Sequence, residues 1–162
     1  MEVRRATEAE SEAIRLIYNA EVTASIVTFD LVPRTVDVQR EWMGSHSGAY
    51  PVIVALDTAG TVAGFASLSP YRPRPGYSTT VEDSVYVATS HRAQGVGRLL
   101  LSSLVDMARA HGFHSVVGRI VGGQDASIAL HRSCGFELVG VEREIGRKFG
   151  RWLDVAIMQR LL

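Results

Sequence analysis

The stretch from Val81 to Leu101, VEDSVYVATSHRAQGVGRLLL, constrains the fold of this chain more than any other. It opens with β-branched and aromatic residues from Val81 to Val87 and passes through a polar turn. Arg92-Ala93-Gln94-Gly95-Val96-Gly97 then leads into a helical repeat of apolar residues. Strand, glycine-bearing turn and helix in that order align successive backbone N–H groups, from about Gln94 to Arg98, to receive an anion. Arg92 and Arg98 add charge, and a glycine leaves open the space that a β-carbon would take from a phosphate. Two rival phosphate motifs fail. A P-loop requires Gly-Lys-Ser/Thr, whereas Gly97 is followed by Arg98-Leu99; a Rossmann fingerprint requires a small residue where Leu100 stands. Glu82, at the head of the strand, places a carboxylate near the other end.

The flanking elements follow from periodicity and punctuation. Met1 to Arg5 reads as a short strand. Thr7-Glu8-Ala9-Glu10 has the form of a capping box, and Ala13, Ile14, Ile17 and Tyr18 predict a helix to about Ala20. Glu21 to Arg34 lacks steady periodicity and reads as a loop. Thr35 caps a second helix through Trp42 and Met43 that ends near Gly44. Pro51–Leu56 and Thr61–Leu68 flank Asp57–Gly60 as a hairpin. Pro70 to Tyr77 is an exposed loop stiffened by prolines. The helix from Gly95 carries Val96, Leu100, Leu104 and Met107 on one face and stops at Gly112. Ser115–Val121 reads as a buried strand, Gly122-Gly123 as a loop, and Ala126–Cys134 as a short helix ended by Gly135. Phe136–Val141 and Trp152–Arg160 are the closing strands, separated by Gly146–Gly150. The order predicts a single α/β (α+β) domain over residues 1–162. Its mixed, mostly antiparallel central sheet is flanked by helices, with one parallel crossover through the Gly95–His111 helix.

Composition narrows the function classes. Seventeen Lys+Arg balance seventeen Asp+Glu, so no global field draws the chain to nucleic acid. No apolar run approaches the ~20 residues of a membrane span. Met1-Glu2-Val3-Arg4-Arg5 lacks the apolar follow-on of a secretory signal, and the single Cys134 excludes an intrachain disulfide. A cytoplasmic protein is expected. His111 and His114 are separated by the helix-breaking Gly112 and have no carboxylate or thiol to complete a ligand set, so no metal site is expected.

At this point the residues resemble a family. Arg92-x-x-Gly95-x-Gly97 after Val85-Tyr86-Val87 is similar to the acyl-coenzyme A motif of the GNAT superfamily of N-acetyltransferases, and the resemblance covers nearly the whole chain. Tyr18-Asn19 with Thr28-Phe29, and Thr80-Val81-Glu82-Asp83-Ser84-Val85-Tyr86-Val87, resemble its phosphinothricin and methionine sulfoximine acetyltransferase branch. So do Ala126-Ser127-Ile128-Ala129-Leu130-His131-x-x-x-Gly135-Phe136 and the run from Gly146 to Val155. The resemblance implies the GNAT fold, acetyl-CoA as cosubstrate and a homodimer. It implies coenzyme contacts from Val85, Tyr86, Val87, Arg92, Gln94, Gly95, Val96, Gly97, Arg98, Gln124 and Ser127. The chain departs from the family pattern in having Gln124 where an asparagine is usual.

A protonated amine cannot attack a thioester, so a base must take its proton, and a partly desolvated strand-end carboxylate has a raised pKa suited to that. The family resemblance implies this role for Glu82. Asp83, its neighbour, points to the other face by the period of a strand and is the weaker candidate. His131 stands where the common family pattern has a tyrosine close to the coenzyme sulfur. Its imidazole, with an ordinary pKa of ~6.5, is suited to meeting the departing thiolate. Arg72, Arg74 and Tyr77 are the acceptor-recognition candidates, because guanidinium groups match a carboxylate or phosphinate and Tyr77 adds a hydroxyl donor. Phe29, Lys148 and Asp154 join them by resemblance alone. The expected acceptor is a small amino-acid analogue such as phosphinothricin, methionine sulfoximine or methionine sulfone. A polyamine, aminoglycoside or peptide amine is the alternative acceptor, and a coenzyme-binding module without turnover is the alternative class.

Overall fold

Thr7 accepts from the N–H of Ala9 while the Glu10 carboxylate accepts from the N–H of Thr7, so the reciprocal cap read from the sequence forms. In the computed structural model, which describes residues 1–162, this cap opens the first helix after strand β1 (Glu2–Arg5). The order continues as α1 (Ser11–Ala24), α2 (Val36–Ser45), β2 (Val52–Leu56), β3 (Val62–Pro70), β4 (Thr80–Val87) and α3 (Val96–Ala110). It closes with β5 (Ser115–Val121), α4 (Asp125–Ser133), β6 (Glu137–Lys148) and β7 (Arg151–Leu161).

The strands form one 7-stranded sheet in the order β1-β2-β3-β4-β5-β7-β6. Every pairing is antiparallel except β4 with β5, which α3 joins by the expected parallel crossover. Helices cover both faces. Leu100, Leu101, Leu104 and Val105 of α3 pack on Ile53, Ala55, Val81 and Val116. Ile14, Tyr18 and Val22 of α1 pack on Val52, Val54 and Phe65 of the opposite face. The alternation of Val52 and Val54 against Ile53 and Ala55 is the period of a strand buried on both sides.

Two boundaries differ from expectation. Helix α1 continues past Ala20 to Ala24, and Glu21 and Val22 are buried in that extra turn. Periodicity missed it because Glu21 is a charge on a buried face, compensated by a distant arginine. Strand β6 runs through the segment expected to be a loop, with register shifts between Leu138 and Gly140 and between Glu142 and Gly146. The hairpin turn is only Phe149-Gly150, with φ of 50° and 72°, the doubly left-handed geometry that suits a two-residue hairpin.

Candidate active site

Strands β4 and β5 pair from Thr80↔Ser115 to Asp83↔Gly118 and then part. The antiparallel ladders on their outer sides fix what faces the gap. Ala88 donates to Ala63 and Gly122 to Asp154, so by alternation the backbones of Val85 and Val87 on one strand, and of Arg119 and Val121 on the other, turn toward the opening. At the apex sits His131 of α4. A β-carbon at Gly118 would lie 2.6 Å from its Nε2 and 3.1 Å from Asp83 Oδ2, so the absence of a side chain there makes room for the imidazole. His131 Nε2 lies 3.0 Å from Asp83 Oδ1 and Nδ1 2.8 Å from the Ser127 carbonyl. Burial by itself lowers the His131 pKa, but the Asp83 hydrogen bond and charge outweigh it and the net shift is upward.

Beyond the gap, the turn before α3 holds Ala93 at φ 60° and Gly95 at φ 81°. A left-handed alanine is uncommon and costs backbone energy. Here it helps turn the N–H groups of Ala93 to Arg98 outward, and none of them finds an acceptor in the protein. Such a run of free donors at the start of a 15-residue helix is an anion cradle. The two glycines of the motif serve different ends. A β-carbon at Gly95 would meet nothing within 4 Å, whereas at Gly97 it would lie 3.1 Å from Leu130, so Gly97 lets α3 and α4 pack closely.

A cavity of about 760 Å³ joins cradle, gap and carboxylate. Glu82, half-buried on its wall, has its pKa raised by burial; Arg119 opposes that shift, Asp83 adds to it, Arg72 opposes and Glu142 adds. Of the coenzyme candidates, Val85, Tyr86, Val87, Arg92, Gly95, Val96, Gly97, Arg98, Gln124 and Ser127 line the cavity. Gln94 does not: its side chain turns back to the Ser90 carbonyl. Tyr86 also belongs to the α1-side core, stacked on Phe65. Arg92 pairs with Glu21 of α1, and both line the cavity.

The acceptor candidates divide. Phe29 lines the cavity together with Glu82. Arg72, Arg74 and Tyr77 are exposed on the loop outside it, Arg72 lying over the Tyr71 ring, although the Arg72 charge still acts on Glu82. Lys148 is 2% exposed, and its Nζ donates to the Thr28 carbonyl at 2.9 Å, anchoring the loop that carries Phe29. Burial lowers its pKa against the charges of Asp30 and Glu21. Asp154 accepts from the N–H of Glu144 and holds the β6 bulge. Three cavity residues escaped the sequence: Glu21, Arg119 and Asp83 in its role behind His131. Arg119 was signalled only by being a charge inside the apolar run Val116–Val121.

Residues 14–136 match the acetyltransferase (GNAT) family. An L-methionine sulfoximine/L-methionine sulfone acetyltransferase of Pseudomonas aeruginosa is 41% identical over 158 residues, 97% of this chain and 92% of its own length. Among solved structures, a ribosomal-protein-alanine N-acetyltransferase from Brucella melitensis superposes with a TM-score of 0.97 at 40% identity, covering 100% of both chains. A GNAT superfamily phosphinothricin acetyltransferase from Sinorhizobium meliloti, solved with acetyl-CoA, gives 0.96 at 40% identity, covering 99% of this chain and 88% of its own. With the free N–H cradle and the parted strands in place, the chain belongs to the GNAT family of acetyl-CoA-dependent acetyltransferases.

Proposed function

We propose that the chain acetylates the α-amine of a small amino-acid analogue of the methionine sulfoximine, methionine sulfone or phosphinothricin type, by direct attack within a ternary complex. The observation that carries this reading is Glu82, a half-buried carboxylate of raised pKa on the wall of the cavity that contains the anion cradle, with the guanidinium charges of Arg119 and Arg72 acting on it. Acetyl-CoA supplies an acetyl thioester activated toward amines. The chain fits it: N–H groups from Ala93 to Arg98 suit a pyrophosphate, with Arg98 beside them, and the free edges of Val85, Val87, Arg119 and Val121 suit amide groups. Gln124 and Ser127 complete that side.

Each chain residue then has a task. Glu82 takes the proton of the acceptor ammonium and frees its lone pair. The N–H of Val87 or its neighbour Val85 faces the gap and receives negative charge developing on the carbonyl oxygen. His131, its pKa raised by Asp83, brings a proton to the thiolate end. Because both ring nitrogens are engaged, delivering that proton requires release of Ser127 or Asp83. Phe29 shapes the acceptor pocket, Lys148 and Asp154 brace it, and Arg72, Arg74 and Tyr77 form its outer rim toward the acceptor's distal group.

A second reading, acetylation of a peptide N-terminus, is favoured by the likeness to the Brucella enzyme. A peptide presents an amide where an amino acid presents a carboxylate, and the arginines beside Glu82 favour the carboxylate. Release of coenzyme thiol, measured across an amine panel, tests the choice. The sulfoximine, sulfone and phosphinothricin should give the highest kcat/KM; faster turnover of a polyamine, aminoglycoside or Ala-peptide would overturn the reading. A cytoplasmic location and a homodimer are part of the proposal; the homodimer is supported by the exposed apolar side chains of Val139, Val141, Ile145, Phe149 and Trp152 on β6, β7 and their turn.

A further inference from the structure

Arg119 is a guanidinium placed in the acceptor half of the cavity by the strand alternation itself. Asp83 and Gly118 meet His131 on the α4 face of the sheet, so Glu82 and Arg119, one residue away on each strand, project to the opposite face. Both line the cavity. Arg119 reaches across β7 to Glu142 of β6, with Nη2 2.6 Å from Oε2. That bond uses one of five N–H donors, and the others find no acceptor in the protein. The side chain is 27% exposed, its partner 35%. The face thus carries a row of alternating charge, Glu82, Arg119, Glu142, in which Glu142 holds the guanidinium extended but does not saturate it.

Resting on the proposed α-amine acceptor, we propose that Arg119 is the acceptor-specificity residue: its open N–H edge binds the α-carboxylate of a zwitterionic amino acid whose ammonium lies at Glu82, a preference read at a pH above the acid limb of kcat in every variant. A carboxylate entering a half-buried cavity must be paired to offset its lost hydration, and a planar fork of donors does that in a fixed orientation. The same fork leaves unpaired donors when a carboxamide or a decarboxylated amine enters, so those acceptors are rejected. Arg72, on the exposed loop, is left for the distal end of the acceptor.

The test compares kcat/KM for L-methionine sulfone and for its carboxamide in the wild type, Arg119→Met, Arg119→Lys and Glu142→Gln. The wild type should prefer the acid by roughly 10–10²-fold, the range of charge-assisted hydrogen bonds. Arg119→Met should erase that preference by losing rate on the acid alone, with the acetyl-CoA constant unchanged. Arg119→Lys should keep part of it and Glu142→Gln nearly all. The assignment is overturned if Arg119→Met keeps the preference or slows both acceptors equally. It is equally overturned if Glu142→Gln, which breaks the same ion pair, abolishes the preference as fully, since that marks a brace between β5 and β6. A wild type that prefers the carboxamide sinks the amino-acid reading itself, whereas a wild type preferring the acid with an indifferent Arg119→Met sinks only the role of Arg119.

Discussion

His131 Nε2 lies 3.0 Å from Asp83 Oδ1, and the two residues are only 4% and 6% exposed. With Nδ1 donating to the Ser127 carbonyl and Nε2 facing the carboxylate, the geometry suits the charged imidazole, and the Asp83 hydrogen bond and charge raise the His131 pKa against the opposing effect of burial. Asp83 Oδ2 is buried without a partner, so the histidine supplies the side-chain hydrogen bond of this carboxylate. The pair stands where β4 and β5 separate, between the gap and the core under α3.

Asp83→Asn should remove the charge that raises the His131 pKa. Burial then dominates, the His131 pKa falls, and the alkaline limb of the kcat profile moves to lower pH. The raised native pKa stabilises the fold below the unfolded histidine value of ~6.5 and ceases to do so as pH rises through the native value. Denaturant unfolding at a series of pH values should therefore show the variant weaker by about 1–3 kcal/mol at acid pH, with the gap narrowing at alkaline pH. A gap independent of pH contradicts a charged pair.

Glu82→Gln should lower kcat by roughly 10²–10⁴-fold, the scale of a general base, while leaving acetyl-CoA binding intact. In the wild type the acid limb of kcat should lie above the ordinary carboxylate range, because burial disfavours the anion. Arg119→Met removes the charge that most opposes this and should move the limb further alkaline. Wild-type turnover in Glu82→Gln would end the assignment.

Gly146→Ala would place a β-carbon 2.3 Å from the Phe29 ring. The atoms met are the far end of a partly exposed side chain, so the ring can swing away and the fold should lose no more than about 1 kcal/mol, below the 1–3 typical of overpacking. The acceptor KM should rise while that of acetyl-CoA stays put. An unmoved acceptor KM would separate Phe29 from the acceptor pocket.

Arg74→Ala should raise the apparent acceptor constant more than it disturbs coenzyme binding, and by less than Arg119→Met does, since Arg74 is exposed outside the cavity. Titration of both substrates in steady state measures the split. Equal constants in wild type and variant would remove the loop from recognition.

Local chemistry was legible in the residues. Capping at Thr7, the Asp57–Gly60 hairpin, the strand–turn–helix with its free N–H groups, and the carboxylate of Glu82 all depend on neighbours within a few positions, where periodicity and turn preference act. Contacts between distant segments were not. Glu21 ended the apparent helix because its partner, Arg92, is seventy-one positions away. Lys148 resembled a pocket cation, yet its ammonium is buried against Thr28, one hundred and twenty positions away. Asp83 stood as the weaker neighbour of Glu82 on the opposite face, and only the packing of α4 against a glycine on β5 shows that His131 occupies that face. Arg119 owes its place beside Glu82 to the pairing register of β4 and β5. Which segments become strands and helices, and where an anion can be cradled, follow from short-range properties of the backbone that neighbouring residues set. Which charges meet is a property of the folded chain, because burial and pairing of a charge depend on side chains brought together only when the sheet closes.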